Sequence, residues 1–133
     1  MIKGFAHACF HVRDLAAAEA FYCGKLGFRP AFDFVNDQGR KNGIYLHVSG
    51  RNFIELFHSE VTPPQPAQSF RHICLEVDDM AATVESLRGL GVEVSDPKPG
   101  SDRSLQAWLT DPDGNRMELH CYTPQSKQNP WLK

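Results

Sequence analysis

Apolar and polar residues alternate through His7-Ala-Cys-Phe-His-Val12, with Ala8, Phe10 and Val12 on one side and His7, Cys9 and His11 on the other. A period of two among β-favouring residues predicts a strand, drawn over 5–12. Leu15, Ala18, Phe21, Tyr22 and Leu26 then recur at helical spacing, so a helix is expected over 15–26, with Asp14 as its N-cap and Gly27 just past its end. Strands are predicted at 29–35, 43–49 and 52–58, separated by turns at Asp37-Gln-Gly39 and Ser49-Gly50. A strand at 70–77, a helix at 80–89 capped by Asp78 or Asp79, and strands at 92–95, 104–110 and 115–122 follow. Asp111-Pro-Asp-Gly114 forms the turn between the last two. The polar tail from Thr123 is expected to wrap the surface, with Trp131 docked against the body.

The second half repeats the first. His7-Ala-Cys-Phe-His-Val-Arg-Asp14 and His72-Ile-Cys-Leu-Glu-Val-Asp-Asp79 share His, Cys, Val and Asp at the same internal positions, 65 residues apart (7 to 72). Each helix ends in a Leu-Gly-apolar turn, Leu26-Gly27-Phe28 and Leu90-Gly91-Val92, 64 residues apart (27 to 91). Each half closes on a strand carrying Glu-Leu, with Glu55 and Glu118 63 residues apart. Three landmarks kept in order with a drift of two residues indicate a duplicated βαβββ module. The expectation is one α+β domain over 1–133: module one about 1–61, a linker at 62–69, module two about 70–122 and a tail at 123–133.

Bulk properties narrow the function classes. With 133 residues the chain can bury a real core, and 41% hydrophobic with 23% charged residues is an ordinary globular composition. A net charge of -2 and scattered basic residues give no electrostatic footprint for nucleic acid or an acidic membrane. No apolar run approaches the roughly 20 residues of a membrane span. The start, Met1-Ile-Lys-Gly-Phe-Ala, does not resemble a signal peptide. The four cysteines, Cys9, Cys23, Cys74 and Cys121, form no CxxC pair, and three sit in strand patterns; they are read as reduced thiols of a cytoplasmic protein.

Strand alternation gathers the polar candidates on one face. His7 and His72 open the first strand of each module, and Glu55 and Glu118 lie in the last, all on the side away from the apolar face expected under the helices. An unpaired carboxylate within Phe53-Ile-Glu-Leu-Phe57 is costly, and a neighbouring Arg51 or Arg71 is the alternative partner to a metal ion. Imidazole nitrogen with carboxylate oxygen suits a first-row divalent ion such as Ni, Zn, Co, Mn or Fe. Two His and two Glu would leave two positions of an octahedron open. An ion there would polarise a carbonyl while a carboxylate removes the neighbouring proton. His11 is a candidate substrate contact, His120 is read as a rim residue, and Cys9 and Cys74 as small-residue packing. His47 and His58 are read as structural or exposed, and Asp111-Pro-Asp-Gly-Asn115 as a hairpin turn rather than a calcium loop.

The stretches His7–Leu15, Phe21-Tyr-Cys-Gly-Lys-Leu-Gly-Phe28, Ile54-Glu-Leu-Phe57, Arg71–Asp79 and Asp111–Leu119 together resemble the vicinal oxygen chelate superfamily over nearly the whole chain. That superfamily includes glyoxalase I, fosfomycin-resistance proteins, methylmalonyl-CoA epimerase, extradiol dioxygenases and bleomycin-binding proteins. The resemblance implies paired βαβββ modules forming a cup-shaped mixed sheet around one divalent metal ion, held by His7, Glu55, His72 and Glu118. The complete two-His, two-Glu set is similar to glyoxalase I and the epimerases, and implies a lyase or isomerase of the lactoylglutathione lyase kind. Glu118 would be the main proton-abstracting carboxylate and Glu55 its counterpart. The implied substrate is a small α-hydroxycarbonyl or hemithioacetal reacting through an enediolate, and the implied assembly a homodimer.

Three departures bear on the substrate. Bacterial glyoxalase I usually has Arg at the position of His11, a contact for the carboxylate of glutathione, Asn at that of Ser59 and Gly at that of Arg71. They leave the expected fold and metal untouched and weaken the case for glutathione as the thiol, so its use stays open. Two further functions remain to be separated from the lyase: a non-catalytic small-molecule binding or resistance protein, and an iron-dependent extradiol-type dioxygenase. The fourth ligand argues against the dioxygenase, because it fills a position that oxygen would need.

Overall fold

The computed structural model describes residues 1, 3–60 and 69–132. The chain divides into two compact units, Met1–Pro63 and Pro64–Lys133. The first contains β1 (His7–Val12), α1 (Leu15–Glu19) running on into a wider π-helical turn over Ala20–Lys25, β2 (Arg29–Val35), β3 (Lys41–Ser49) and β4 (Asn52–His58). The second contains β5 (Ile73–Glu76), α2 (Met80–Gly89), β6 (Lys98–Pro99), β7 (Leu105–Thr110) and β8 (Arg116–Cys121), then a short 3-10 turn at Asn129–Trp131. Each unit is built on a four-stranded mixed sheet, ordered β1-β4-β3-β2 and β5-β8-β7-β6. The first strand is parallel to the last (β1 to β4, β5 to β8) and the other neighbours are antiparallel. The protein is therefore α+β with two βαβββ modules. The linker expected at 62–69 lies outside the described residues apart from Ser69.

Alternation places the core where the apolar sides of the strands predict. Ile44, Leu46, Ile54 and Leu56 are buried together on the helix-covered side of the first sheet, with Phe10, Val12, Ala18, Phe21 and Tyr22. Ala107, Leu109, Met117 and Leu119 do the same in the second, under Met80, Val84 and Leu87 of α2. Burying each such aliphatic side chain contributes about 1.5–3 kcal/mol, so a one-residue slip in register would forfeit the core of that unit.

Both helices start alike. Asp14 Oδ1 accepts from the Ala17 amide and Asp79 Oδ1 from the Ala82 amide, each at 3.0 Å, which settles the second cap on Asp79. Both end on a glycine at φ 77°, Gly27 and Gly91, a conformation that favours glycine. Between cap and glycine the first unit has one residue more, since Asp14 to Gly27 exceeds Asp79 to Gly91 by one position. The π-helical turn absorbs it: the Leu26 amide bonds the Phe21 carbonyl at 3.1 Å, five residues back, whereas the Leu90 amide reaches Ser86, four back. The helix expected over 15–26 is thus correct in extent but not uniformly α.

Two other expectations are corrected. Residues 92–95 do not form a strand. The Ser95 amide donates to the Trp108 carbonyl (2.9 Å), but the Trp108 amide donates to Ser95 Oγ (2.9 Å), and the Val94 carbonyl is taken by Arg88 Nη2 (2.7 Å). The ladder forms later, at Lys98–Pro99, and stays short beside prolines that lack an N–H. Trp131 is 86% exposed instead of docked. The tail is anchored by polar groups: buried Ser126 meets Ser104 Oγ at 2.7 Å, and the Lys127 amide bonds the Asp102 carbonyl at 3.0 Å. No helix among the described residues is long and apolar enough to cross a membrane, and all four cysteines are free thiols.

Candidate metal centre

Strand pairing builds the same row twice. In the first unit Cys9, Glu55 and Tyr45 stand opposite one another across β1, β4 and β3. In the second, Cys74, Glu118 and Trp108 stand across β5, β8 and β7. Because buried Ile54, Leu56, Met117 and Leu119 flank the glutamates, period two turns both carboxylates to the side away from the helix.

Each carboxylate faces the histidine that opens its module. His7 Nε2 lies 3.4 Å from Glu55 Oε2, and His72 Nε2 lies 3.2 Å from Glu118 Oε2. Two ligands bound at about 2.1 Å, with an angle between tetrahedral and octahedral values, are themselves about 3.0–3.4 Å apart. In each unit, donor types and spacing therefore suit a pair of neighbouring ligands to a borderline divalent ion. Tyr45 Oη is 3.3 Å from His7 Nδ1, a partner of the sort that orients a ligating imidazole through its other nitrogen.

The surroundings of the two pairs differ. Around Glu55 they are aromatic: Tyr45 stacks between Phe32 (4.8 Å) and Phe53 (5.0 Å), and Phe34 lies 4.6 Å from Phe57. Phe57 lies over β3 because Gly43 is its partner there; a Cβ on Gly43 would stand 2.6 Å from the Phe57 ring. Burial, then the Glu55 charge and a hydrogen bond to it, raise the pKa of the Cys9 thiol.

Around Glu118 they are polar. His120, read from sequence as a rim residue, is only 8% exposed and its Nδ1 lies 3.0 Å from Glu118 Oε1. An ionised carboxylate can only accept, so the ring nitrogen donates. His120 Nε2 is 3.6 Å from Asp102 Oδ2. The Gln128 side-chain amide donates to that oxygen and the Ser104 amide to Asp102 Oδ1 (3.2 Å); these bonds, with Gln128 the largest, hold the Asp102 carboxyl below the usual range. Asp102 carried no signal in sequence, lying between the strands expected at 92–95 and 104–110.

Donor atoms of Cys74, Glu118 and His120 also lie within 4.8 Å of one another, so Glu118 belongs to two possible ligand groups. The thiolate is the metal ligand, and Cys74 is pushed up to about 11 by burial and then by the charges of Glu118, Asp102 and Glu76. The geometric partner of Glu118 that recurs in the first unit is His72, whose Nε2 faces Oε2 at 3.2 Å as His7 faces Glu55. Cys9 and Cys74 are both exposed residues whose thiols are only partly shielded from water, a correction to their reading as small-residue packing.

His72 meets Trp108 edge to face at 4.8 Å, and the Arg116 guanidinium lies 3.9 Å over that indole. Trp108 and Arg116 also line an open cleft of about 680 Å³ with Arg88, Val92 and Val94. His11 is exposed two residues beyond Cys9. His47 is structural: its Nδ1 accepts from Arg29 Nη2 (3.0 Å) and its Nε2 donates to the Gly50 carbonyl (3.1 Å). His58 is exposed. In the 111–115 turn the Asp111 carboxylate accepts from the Asp113 and Asn115 amides and from Asn115 Nδ2, at 2.8–2.9 Å, as a hairpin turn requires.

Among curated proteins, glyoxalase I of Saccharomyces cerevisiae is 27% identical over 151 residues, covering 93% of this chain; the chain spans about half (46%) of that relative's length. Among solved structures, TnmS3, an antibiotic binding protein from Streptomyces sp. CB03234, is 28% identical with a TM-score of 0.73, over 92% of this chain and 98% of that one. A glyoxalase family protein from Enterococcus faecalis shares the fold at a TM-score of 0.76 and 23% identity, over 89% and 97% of the two chains. The profile of one family matches residues 4–119, and on that extent the chain belongs to the glyoxalase/bleomycin resistance protein/dioxygenase superfamily.

Proposed function

We propose that the protein is a divalent-metal-dependent lyase or isomerase of the glyoxalase I type, with His7, Glu55, His72 and Glu118 as metal ligands. The observation that carries this reading is the His–Glu pair repeated at ligand spacing in two modules built on one plan. Bound there, an ion such as Ni, Zn, Co, Mn or Fe would act as a Lewis acid toward a carbonyl oxygen. Glu118 is the carboxylate that takes the proton from the carbon beside that carbonyl, and Glu55 is its counterpart. Glu118 is the more enclosed of the two carboxylates, with a side-chain exposure of 13% against 20% for Glu55. The substrate class is a small α-hydroxycarbonyl or hemithioacetal, with His11 as a contact at the edge of the face. The proposed assembly is a homodimer. Free thiols suit the cytoplasm.

Elemental analysis of purified and reconstituted protein, joined to turnover assays on hemithioacetals of several thiols, tests the proposal. About one ion per chain and chelator-sensitive turnover are expected; protein that takes up no stoichiometric ion refutes it. A second reading, a small-molecule binding protein without catalysis, is favoured by the exposed aromatic face of the first unit, where Phe32 is 52% exposed, and by the likeness to an antibiotic binding protein. Tight ligand binding that survives chelation, without turnover, would establish that reading instead.

A further inference from the structure

We propose that His120 is a positioning residue for Glu118: it holds one carboxylate oxygen so that the other stays turned toward His72. The inference rests on the reading of Glu118 as a ligand and base, and adds residues that the two-His, two-Glu set does not include. The two oxygens of Glu118 are divided between two rings, Oε1 to His120 Nδ1 at 3.0 Å and Oε2 to His72 Nε2 at 3.2 Å. A glutamate's terminal torsion is broad and roughly two-fold, so without a partner on Oε1 the carboxylate would sample orientations that do not present Oε2 to an ion. His120 removes that freedom.

The ring is packed edge to face against Tyr122 at 4.8 Å, and its buried Nε2 lies 3.6 Å from Asp102 Oδ2, beyond hydrogen-bond distance. Asp102 is tied to the C-terminal segment through the Gln128 side chain and the Lys127 amide, and Ser126 clamps the neighbouring Ser104. Gln128, Asp102, His120, Glu118 and His72 thus stand in one row of polar groups inside the second unit, bonded from Gln128 to Asp102 and from His120 to Glu118, with 3.6 Å between Asp102 and His120. The first unit supplies the internal control. At the register position of His120 it has Phe57, opposite Gly43 where the second unit has Gln106, and Phe57 has no group to offer Glu55. The duplicated fold does not need a histidine there.

Calorimetric titration of metal-free protein with Zn²⁺ provides the first readout. H120F, which copies the first unit, is expected to weaken affinity by about 10–100-fold, the usual cost of removing a group that orients a ligand. H120N keeps a side-chain N–H for Oε1 and is expected to recover to within about fivefold. A general packing defect would give no such recovery. Q128L, at the far end of the row, is expected to lose a few-fold, and reports on the same link should H120F fold poorly. The second readout needs no ion: the Glu118 side-chain carboxylate ¹³C resonance of metal-free protein should move in H120F and return in H120N. Wild-type affinity in H120F, equal losses in H120N and H120F, or a carboxylate resonance indifferent to both variants overturns the proposal. A wild type that binds no ion while the resonance still responds refutes the metal-dependent function and leaves the positioning role standing.

Discussion

The two units carry the same strands, the same caps and the same His–Glu pair, yet they surround the glutamate with opposite chemistry. Glu55 sits among Tyr45, Phe53 and Phe57, whereas Glu118 sits beside His120 and, through it, Asp102. The register is identical, Cys–Glu–Tyr in one row and Cys–Glu–Trp in the other, so the fold does not cause the difference. It arises from substitutions on the face away from the helices, chiefly Gly43 with Phe57 against Gln106 with His120. Sheet cores tolerate little change because each side chain fills a fixed volume, while the opposite face is free to diverge. The duplication thus separates what holds the fold from what tunes the site.

The sharpest way to break this comparison is to treat the glutamates alike. On a hemithioacetal that the wild type turns over, Glu118→Gln is expected to lower kcat by about 10³-fold and Glu55→Gln by about 10–100-fold, with both proteins folded by circular dichroism. Equal losses would show that the polar surroundings of Glu118 confer no special role.

The cores should behave as equals. Leu56→Ala and Leu119→Ala each empty a buried site under a helix and are expected to cost about 2–5 kcal/mol in urea unfolding. A much smaller loss in one would mean that the symmetry of the cores is only apparent.

Thiol chemistry offers a smaller test. Cys74, pushed up to about 11, holds its proton at pH 8, where the thiolate fraction falls about 100-fold below that of an ordinary cysteine. The greater nucleophilicity of the more basic thiolate returns about a factor of ten. Alkylation of Cys74 followed by mass spectrometry should therefore run about tenfold slower in folded than in unfolded protein, and accelerate as pH rises toward 11. Equal rates at pH 8 would show that burial and the neighbouring charges do not hold the proton on Cys74. The helix caps come last: Asp14→Ala and Asp79→Ala should each cost about 1 kcal/mol, since their bonds to Ala17 and Ala82 match at 3.0 Å.

Much of this was legible in the chain. Alternation in residues 7–12 and 52–58 named the buried and open faces correctly, because period two leaves no choice once one side is apolar. The His–Glu pairing within each module followed from the repeat. Residues 92–95 were misread because an apolar alternation cannot show that a serine hydroxyl and an arginine will take the hydrogen bonds a ladder needs. Trp131 was misread because the tail is anchored by Ser126 and Gln128 instead of by its large apolar residue. His120 looked like a rim residue because it has no counterpart in the first half, and the repeat highlights only what recurs.

The sequence by itself determined the module, its duplication, the faces of the strands and the two His–Glu pairs. Each of these follows from local spacing and from the costs of burying or exposing side chains. Only the tertiary structure decided that Asp102, eighteen residues before His120, comes to face its imidazole and that Gln128, eight after it, bonds Asp102. Contacts of that kind depend on where a turn and a tail land against a strand, and no periodicity encodes it.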